Sequence, residues 1–289
     1  MTTRKWGRRR WRRLRQRLAH RGHAVSAPTV SRLLQKHDDA LRVNAKEKEA
    51  RSPHPDRDTQ FQDIEAQQAA CAAAGGAIIS VDTQKKALIG HFTKAGQAWC
   101  QQPEEVHGHD FLTDALGRAV PYGIYDPRRN EGTVYVGASA DTPEFAVAAI
   151  APWWEERGRV AYPHATQLLI LADAGGRNGY RPRLWNAQLH SQLSDRLGVT
   201  VTVCHDPTGC SKWHPMEHRL FSQISLNWAG KPLRTFDTML GYLRDTTTTT
   251  GLQVTAQLLA GLYQTGKKVA DAVMKTLNVE QHAVCPHGN

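Results

Sequence analysis

The chain has no uninterrupted apolar run approaching the ~18 residues that a membrane helix requires, so a helical membrane protein is excluded. It has no C-x-x-C pair among its five cysteines, Cys71, Cys100, Cys204, Cys210 and Cys285. The ligand spacing of zinc modules is therefore missing, and an odd count without an export signal reads as free thiols. The arginines at the N-terminus are followed by no apolar segment, which argues against a secretory leader and for a soluble cytoplasmic protein. What remains is ordinary globular material, 40% hydrophobic and 22% charged over 289 residues. That length holds one sizeable core and a smaller module.

Acidic residues are scarce in one place. Residues 1–57 carry 17 Lys/Arg against 5 Asp/Glu, a surplus of 12, whereas the rest of the chain carries 20 against 22. Basicity confined to the first fifth of the chain points to a local arm for a polyanion. Trp11, Leu14 and Leu18 make one apolar stripe on a first helix dense in arginine, and Gly22 is well placed to end it. Ser26 is a good N-cap for a second helix with Pro28 in its first turn. Two basic helices around a tight turn predict a small all-α helix-turn-helix over residues 1–44 that binds double-stranded DNA. In it Arg8, Arg9, Arg12 and Arg13 would grip phosphates, and Ser31, Arg32, Gln35 and Lys36 would face the groove. Such a module normally has a third helix, so the chain is expected to begin inside it.

Residues 45–62, with Ser52-Pro53-His54-Pro55, read as a linker. From residue 63 strand-like and helix-like text alternates, predicting an α/β domain over 63–235 around one mixed sheet. Buried strands are expected at Ala77–Val81, Leu168–Leu171 and Val199–Val203, with further strands at Ala119–Tyr125 and Thr133–Ala138. Helices are expected over Thr142–Arg157, kinked at Pro152, over Leu184–Leu197 and over Ser211–Trp228. Residues 236–289 read as a helical or irregular extension, with Thr246–Thr250 a polar loop or edge strand.

Three acids stand out by position. Asp82 follows the run Ile78-Ile79-Ser80-Val81, Asp173 ends Leu168–Ala172, and Glu217 borders the apolar stripe of the last long helix. Carboxylates at strand ends gather at one sheet edge, and the glycines after Asp173 allow close approach of a substrate. Three neighbouring carboxylates repel one another, which hard divalent cations resolve. Two such ions ~3.5–4 Å apart suit in-line displacement at a phosphodiester. Lys85, Lys86, Lys212 and Arg219 surround the trio as candidate phosphate contacts, and Asn178 could hydrogen-bond groups behind it. Trp153, Trp154 and Trp213 read as packing.

The segments Ile78–Lys86, Ala172–Arg181 and Ser211–Phe221 resemble the three catalytic blocks of the ISAzo-type (Rhodopirellula-type) DDE transposases of bacterial insertion sequences. His54–Asp58, Tyr122–Asp126, and Glu144–Val147 with Trp153-Trp154 match as well. The resemblance implies a ribonuclease-H-like fold, two Mg²⁺ or Mn²⁺ ions on Asp82, Asp173 and Glu217, and element-end and target DNA as substrates. It further implies a homodimer on DNA and a place with the bacterial nucleoid. The family pattern is longer at both ends, so a truncated copy is expected. A nuclease without strand transfer and a catalytically dead DNA-binding remnant are the competing readings.

Overall fold

The computed structural model describes residues 15–16, 18–36, 57–107, 111–173, 178, 182–207 and 214–282. The chain divides into two units, residues 1–51 and 52–289, each taken by itself. Arg8, Arg9, Arg12, Arg13, Lys212 and Trp213 lie outside the described residues, as does the side chain of Gln35.

In the first unit a helical segment ends at Gly22, whose φ of 85° only glycine adopts cheaply. The N–H of His23 bonds to Leu18 O at 2.9 Å and that of Gly22 to Ala19 O at 3.0 Å, the paired bonds of a Schellman end. Helix α1, Ala27–Lys36, then starts from Ser26, whose Oγ accepts from the N–H of Thr29 at 3.2 Å. Val30 is buried, while Arg32 and Lys36 are exposed. The stop and start signals read from sequence are where the helices break.

The second unit is built on a seven-stranded sheet. Helix α2, Arg57–Ala73, leads into β1, Ala77–Thr83, and the short β2, Ala87–Ile89. Strands β3, Gly117–Asp126, and β4, Glu131–Gly137, form a hairpin, with β5 at Gln167–Asp173, β6 at Thr200–Asp206 and β7 at Gln253–Leu258. The order is β6-β5-β1-β3-β4-β7, with β2 on β3. On one side of β1 lies the antiparallel β3–β4 hairpin; on the other, β5 and β6 run parallel to it. This is the ribonuclease-H-like mixed sheet with flanking helices.

Period-two alternation divides the side chains between two faces. Ala77, Ile79 and Val81 of β1, Tyr122 and Ile124 of β3, and Leu168 and Ile170 of β5 enter an aromatic-rich core. It is closed by α3, Pro143–Trp153, and α4, Arg183–Leu189. Thr142 caps α3, accepting from the N–H of Phe145 at 3.2 Å. Proline inside a helix removes a donor, and past Pro152 the helix widens into a π turn, Trp154–Gly158. Phe145, Trp153, Trp154 and Trp185 are buried there, and Trp153 and Trp154 are packing residues, as expected.

On the opposite face, Ile78, Leu169, Leu171 and Cys204 pack with Ile64 and Cys71 of α2. Beyond β1, Tyr125, Val134 and Val136 pack under Met216, Leu220, Phe221 and Ile224. Those four belong to a helical segment that starts at Pro215-Met216 and continues through the π turn Glu217–Phe221 into α5, Ser222–Asn227.

Two boundaries differ from the sequence expectation. Helix α2 begins at Arg57, inside the expected linker, with Gln60 and Asp63 buried. Residues 236–258 are not an appendage: α6, Phe236–Arg244, contributes Met239, Leu240 and Leu243 to the core, and β7 pairs in parallel with β4. Strand β7 escaped notice because Gln253-Val254-Thr255-Ala256-Gln257 alternates weakly and buries only Val254 and Ala256. Thr246–Thr250 forms a loop; within it Thr246 is buried and its Oγ1 bonds to Tyr242 O at 2.9 Å. Helix α7, Asp271–Thr276, buries none of its residues. Among the described residues no helix is long and apolar enough to cross a membrane.

Candidate active site

Asp82 and Asp173 stand at the C-terminal ends of β1 and β5, which pair in parallel. The last registered pair is Val81 with Ala172, so each aspartate is the next residue along. Alternation puts both on the face opposite the aromatic core, since Val81 and Ala172 belong to that core. Glu217 opens the π turn on the same face. Asp82 and Asp173 are half-buried, and Glu217 is exposed.

Electrostatics link the three. Burial is the main cause that raises the Asp82 pKa to about 6. The Thr83 N–H, 2.7 Å from Asp82 Oδ1, and the positive character of His214 work the other way. The charges of Glu217 and Asp173 push it further up. The three sequence-predicted acids thus lie on one face of the sheet, with Asp173 and Glu217 within electrostatic reach of Asp82.

The helical segment carrying Glu217 is held down in three ways. Gly123, the register partner of Asp82, lies beneath it. A Cβ on Gly123 would meet Phe221 at 2.6 Å and Met216 Sδ at 3.0 Å, so the absent side chain sets how closely the helix seats. At its start, the buried His214 places Nδ1 2.7 Å from Asp206 Oδ2, and Nε2 3.2 Å from Ser80 Oγ and 3.3 Å from Val81 O. Burial opposes the imidazolium, but the hydrogen-bonded Asp206 carboxylate outweighs it and raises the His214 pKa. One ring thus ties the end of β6, the middle of β1 and the start of the Glu217 segment together. Gln84 adds a third tie, its Nε2 donating to Ser225 Oγ at 3.2 Å.

Sequence reading passed over Asp206 as a functional residue. Its signal was present: Asp206 ends the third buried strand as Asp173 ends the second. Asp141 was likewise not singled out from the sequence. It accepts from the Thr83 hydroxyl at 3.1 Å and pairs with Lys86 at 3.6 Å, beside the site. Lys85 and Arg219 are exposed. Asn178 is buried behind the site, its Oδ1 accepting from Tyr122 OH at 3.2 Å and its carbonyl 2.8 Å from His205 Nε2.

The donor set suits a hard divalent cation, because it offers carboxylate oxygens whose mutual repulsion already disfavours the ionised form of Asp82. Among the described residues no three His, Cys, Asp or Glu side chains close into a ready cage. The Glu217 carboxylate is the exposed member of the set.

Comparison with known proteins places this geometry in context. Among curated proteins none matches the chain. A solved structure of the Mos1 transposase paired-end complex with left transposon end is 10% identical, with a TM-score of 0.48 over 81% of this chain. This chain spans 65% of the Mos1 chain's length. The Mos1 strand transfer complex gives 11% identity and a TM-score of 0.48, covering 84% of this chain and 71% of that one. The family described as Rhodopirellula transposase DDE domain matches residues 1–289, from end to end. The chain with the carboxylates Asp82, Asp173 and Glu217 at its sheet edge belongs to that family of transposases.

Proposed function

We propose that this chain cleaves DNA at the ends of an insertion sequence and joins the freed 3′-hydroxyl to target DNA. Asp82, Asp173 and Glu217 would hold two Mg²⁺ or Mn²⁺ ions. When bound, such ions activate a hydroxyl nucleophile and stabilise the leaving oxygen of an in-line displacement. The observation that carries the reading is the meeting of two strand-end aspartates with a helix-borne glutamate on one face.

The chain's own residues have separable tasks. Asp82 is held by the Thr83 N–H, and a bound cation would favour its ionised form against the burial that raises its pKa. Asp173 is fixed by the β5 ladder. Glu217 closes on the pair from a segment whose height is set by Gly123 and whose start is tethered by His214. The basic helices of residues 1–44 would bind element-end duplex through Arg8, Arg9, Arg12 and Arg13. Ser31, Arg32, Gln35 and Lys36 would face the major groove, and Lys85 and Lys212 would hold phosphates at the site. Two ends must be processed together, so the active form is a homodimer on DNA, in the bacterial cytoplasm and on its nucleoid.

The test incubates the full chain with a labelled element end, a target plasmid and Mg²⁺ or Mn²⁺. Joined products that vanish with Asp82→Asn support the proposal. Cleavage without joining would make the protein a nuclease. Binding without any metal-dependent product, unchanged by Asp82→Asn, would make it a DNA-binding remnant.

A further inference from the structure

Beside Glu217 runs a second groove, of ≈ 630 Å³. Gln84, Lys85 and Lys86 line it together with residues 92–95 and with Glu217, Ser222, Ser225 and Trp228 of the helical segment. The loop around residues 92–95 is tied to residues 229–233 by backbone contacts. The N–H of Gly230 bonds to Ala95 O at 3.0 Å and that of Gly90 to Leu233 O at 2.8 Å. Gly96, at φ 111°, lies so close to Ala229 that a Cβ would come within 2.7 Å of it.

This anchoring holds Lys94 in place. Its ammonium sits 4.4 Å from the centre of the Trp228 ring and is half-buried. Burial, then the charge of Lys85, lowers its pKa. Lys86 is engaged with Asp141, but among the described residues neither Lys85 nor Lys94 has a carboxylate within ion-pair distance. Two ammonium groups that weaken one another across a half-buried groove are stabilised by an anion between them. The acidic members of the site stand at one end only, at Glu217. From Glu217 to Trp228 the helical segment extends roughly 16 Å at ~1.5 Å per residue, room for more than one phosphate.

We propose that this groove is the track for one DNA strand leading to the reacting phosphate, with Lys85 and Lys94 gripping successive backbone phosphates and the Ser225 hydroxyl, which accepts from Gln84, available to donate to them. The inference rests on the proposed function for its choice of a DNA backbone. It adds the path and the residues of the grip. The Lys94 contact is preformed, so it orients the strand instead of merely attracting it.

The experiment reads the lysines one by one. Full-length protein in Ca²⁺, without turnover, is acetylated with an amine-reactive ester, alone or with saturating duplex oligonucleotide carrying a 3′ single-stranded tail. Inorganic phosphate at equal phosphate concentration is the third arm, and each lysine is quantified by mass spectrometry. Lys85 and Lys94 are expected to be protected at least about threefold by the oligonucleotide and unprotected by phosphate, while exposed Lys275 on α7 reacts equally in all arms. Lys94→Gln should also lower the salt slope of DNA binding by about one phosphate contact. Equal acetylation of Lys85 and Lys94 with and without DNA overturns the proposal, as does equal protection by inorganic phosphate, which would mark a small-anion site. Neither readout needs chemistry, so loss of strand transfer with retained protection would count against the catalytic reading alone.

Discussion

The two faces of this sheet solve opposite problems with the same strands. One face is dry: Ile79, Tyr122, Phe145, Ile150, Trp154 and Trp185 exclude water and are essentially fully buried. The other collects Asp82, Asp173 and Asp206 at the strand ends under a helical segment that also carries His214 and Glu217. Charges there must be paired, hydrogen-bonded or compensated, because an isolated buried carboxylate is costly. Strand β1 serves both faces. Moving three residues, from Ile79 to Asp82, crosses from a position that stabilises the fold to one that burdens it.

That contrast is open to direct attack. The largest effect is expected on chemistry: Glu217→Gln keeps size and backbone but removes a carboxylate, and strand transfer should fall by ~10³-fold or more, roughly 4 kcal/mol of barrier. Thermal melting should scarcely move, because Glu217 is exposed. A matching loss of stability would place Glu217 with the structural residues. Next is Ile79→Ala on the dry face, expected to cost roughly 2–5 kcal/mol by chemical denaturation through transfer and cavity terms. If the folded fraction keeps its strand-transfer rate, the faces are separable.

Asp82→Asn should do the reverse, losing activity while stabilising the metal-free protein at pH 7. The sign follows from the direction of the shift. A carboxyl whose folded pKa is about 6, above its ordinary value near 4, holds its proton more tightly when folded. Stability of the metal-free protein should therefore fall as pH rises from ~4 to ~6 and stay lowered above that, by on the order of 2 kcal/mol after allowance for partial exposure. Asp82→Asn should flatten that decline in denaturant titrations without metal, and an equally steep decline in the variant would refute the assignment. The smallest effect expected is from Gly123→Ala. A methyl group under Phe221 should cost about 1–2 kcal/mol of stability. It should also raise the Mn²⁺ concentration needed for half-maximal activity, which a merely structural role would leave unchanged.

Much of this was legible along the chain. Asp82 and Asp173 were visible because each ends a run of apolar residues, and a buried parallel strand has few other ways to be written. Gly22 and Ser26 announced a helix end and a helix start by their own chemistry. What stayed hidden depends on contacts distant in sequence. The His214–Asp206 pair needs β6 beside the Glu217 segment, and β7 becomes a strand only because β4 presents it with an open edge. The π turns at Trp154–Gly158 and Glu217–Phe221 have no periodicity of their own; they slip one residue into a helical pattern that otherwise reads normally.

Gly123 draws these threads together. Opposite Asp82 in the ladder and beneath Phe221 in the stack, it contributes a single hydrogen where every other residue would contribute carbon. The reach available to Glu217 is thereby governed by an omission. A lineage that filled this space would push Glu217 outward with all three acidic side chains still in place, and so would weaken the proposed metal site while its motifs remained intact to the eye.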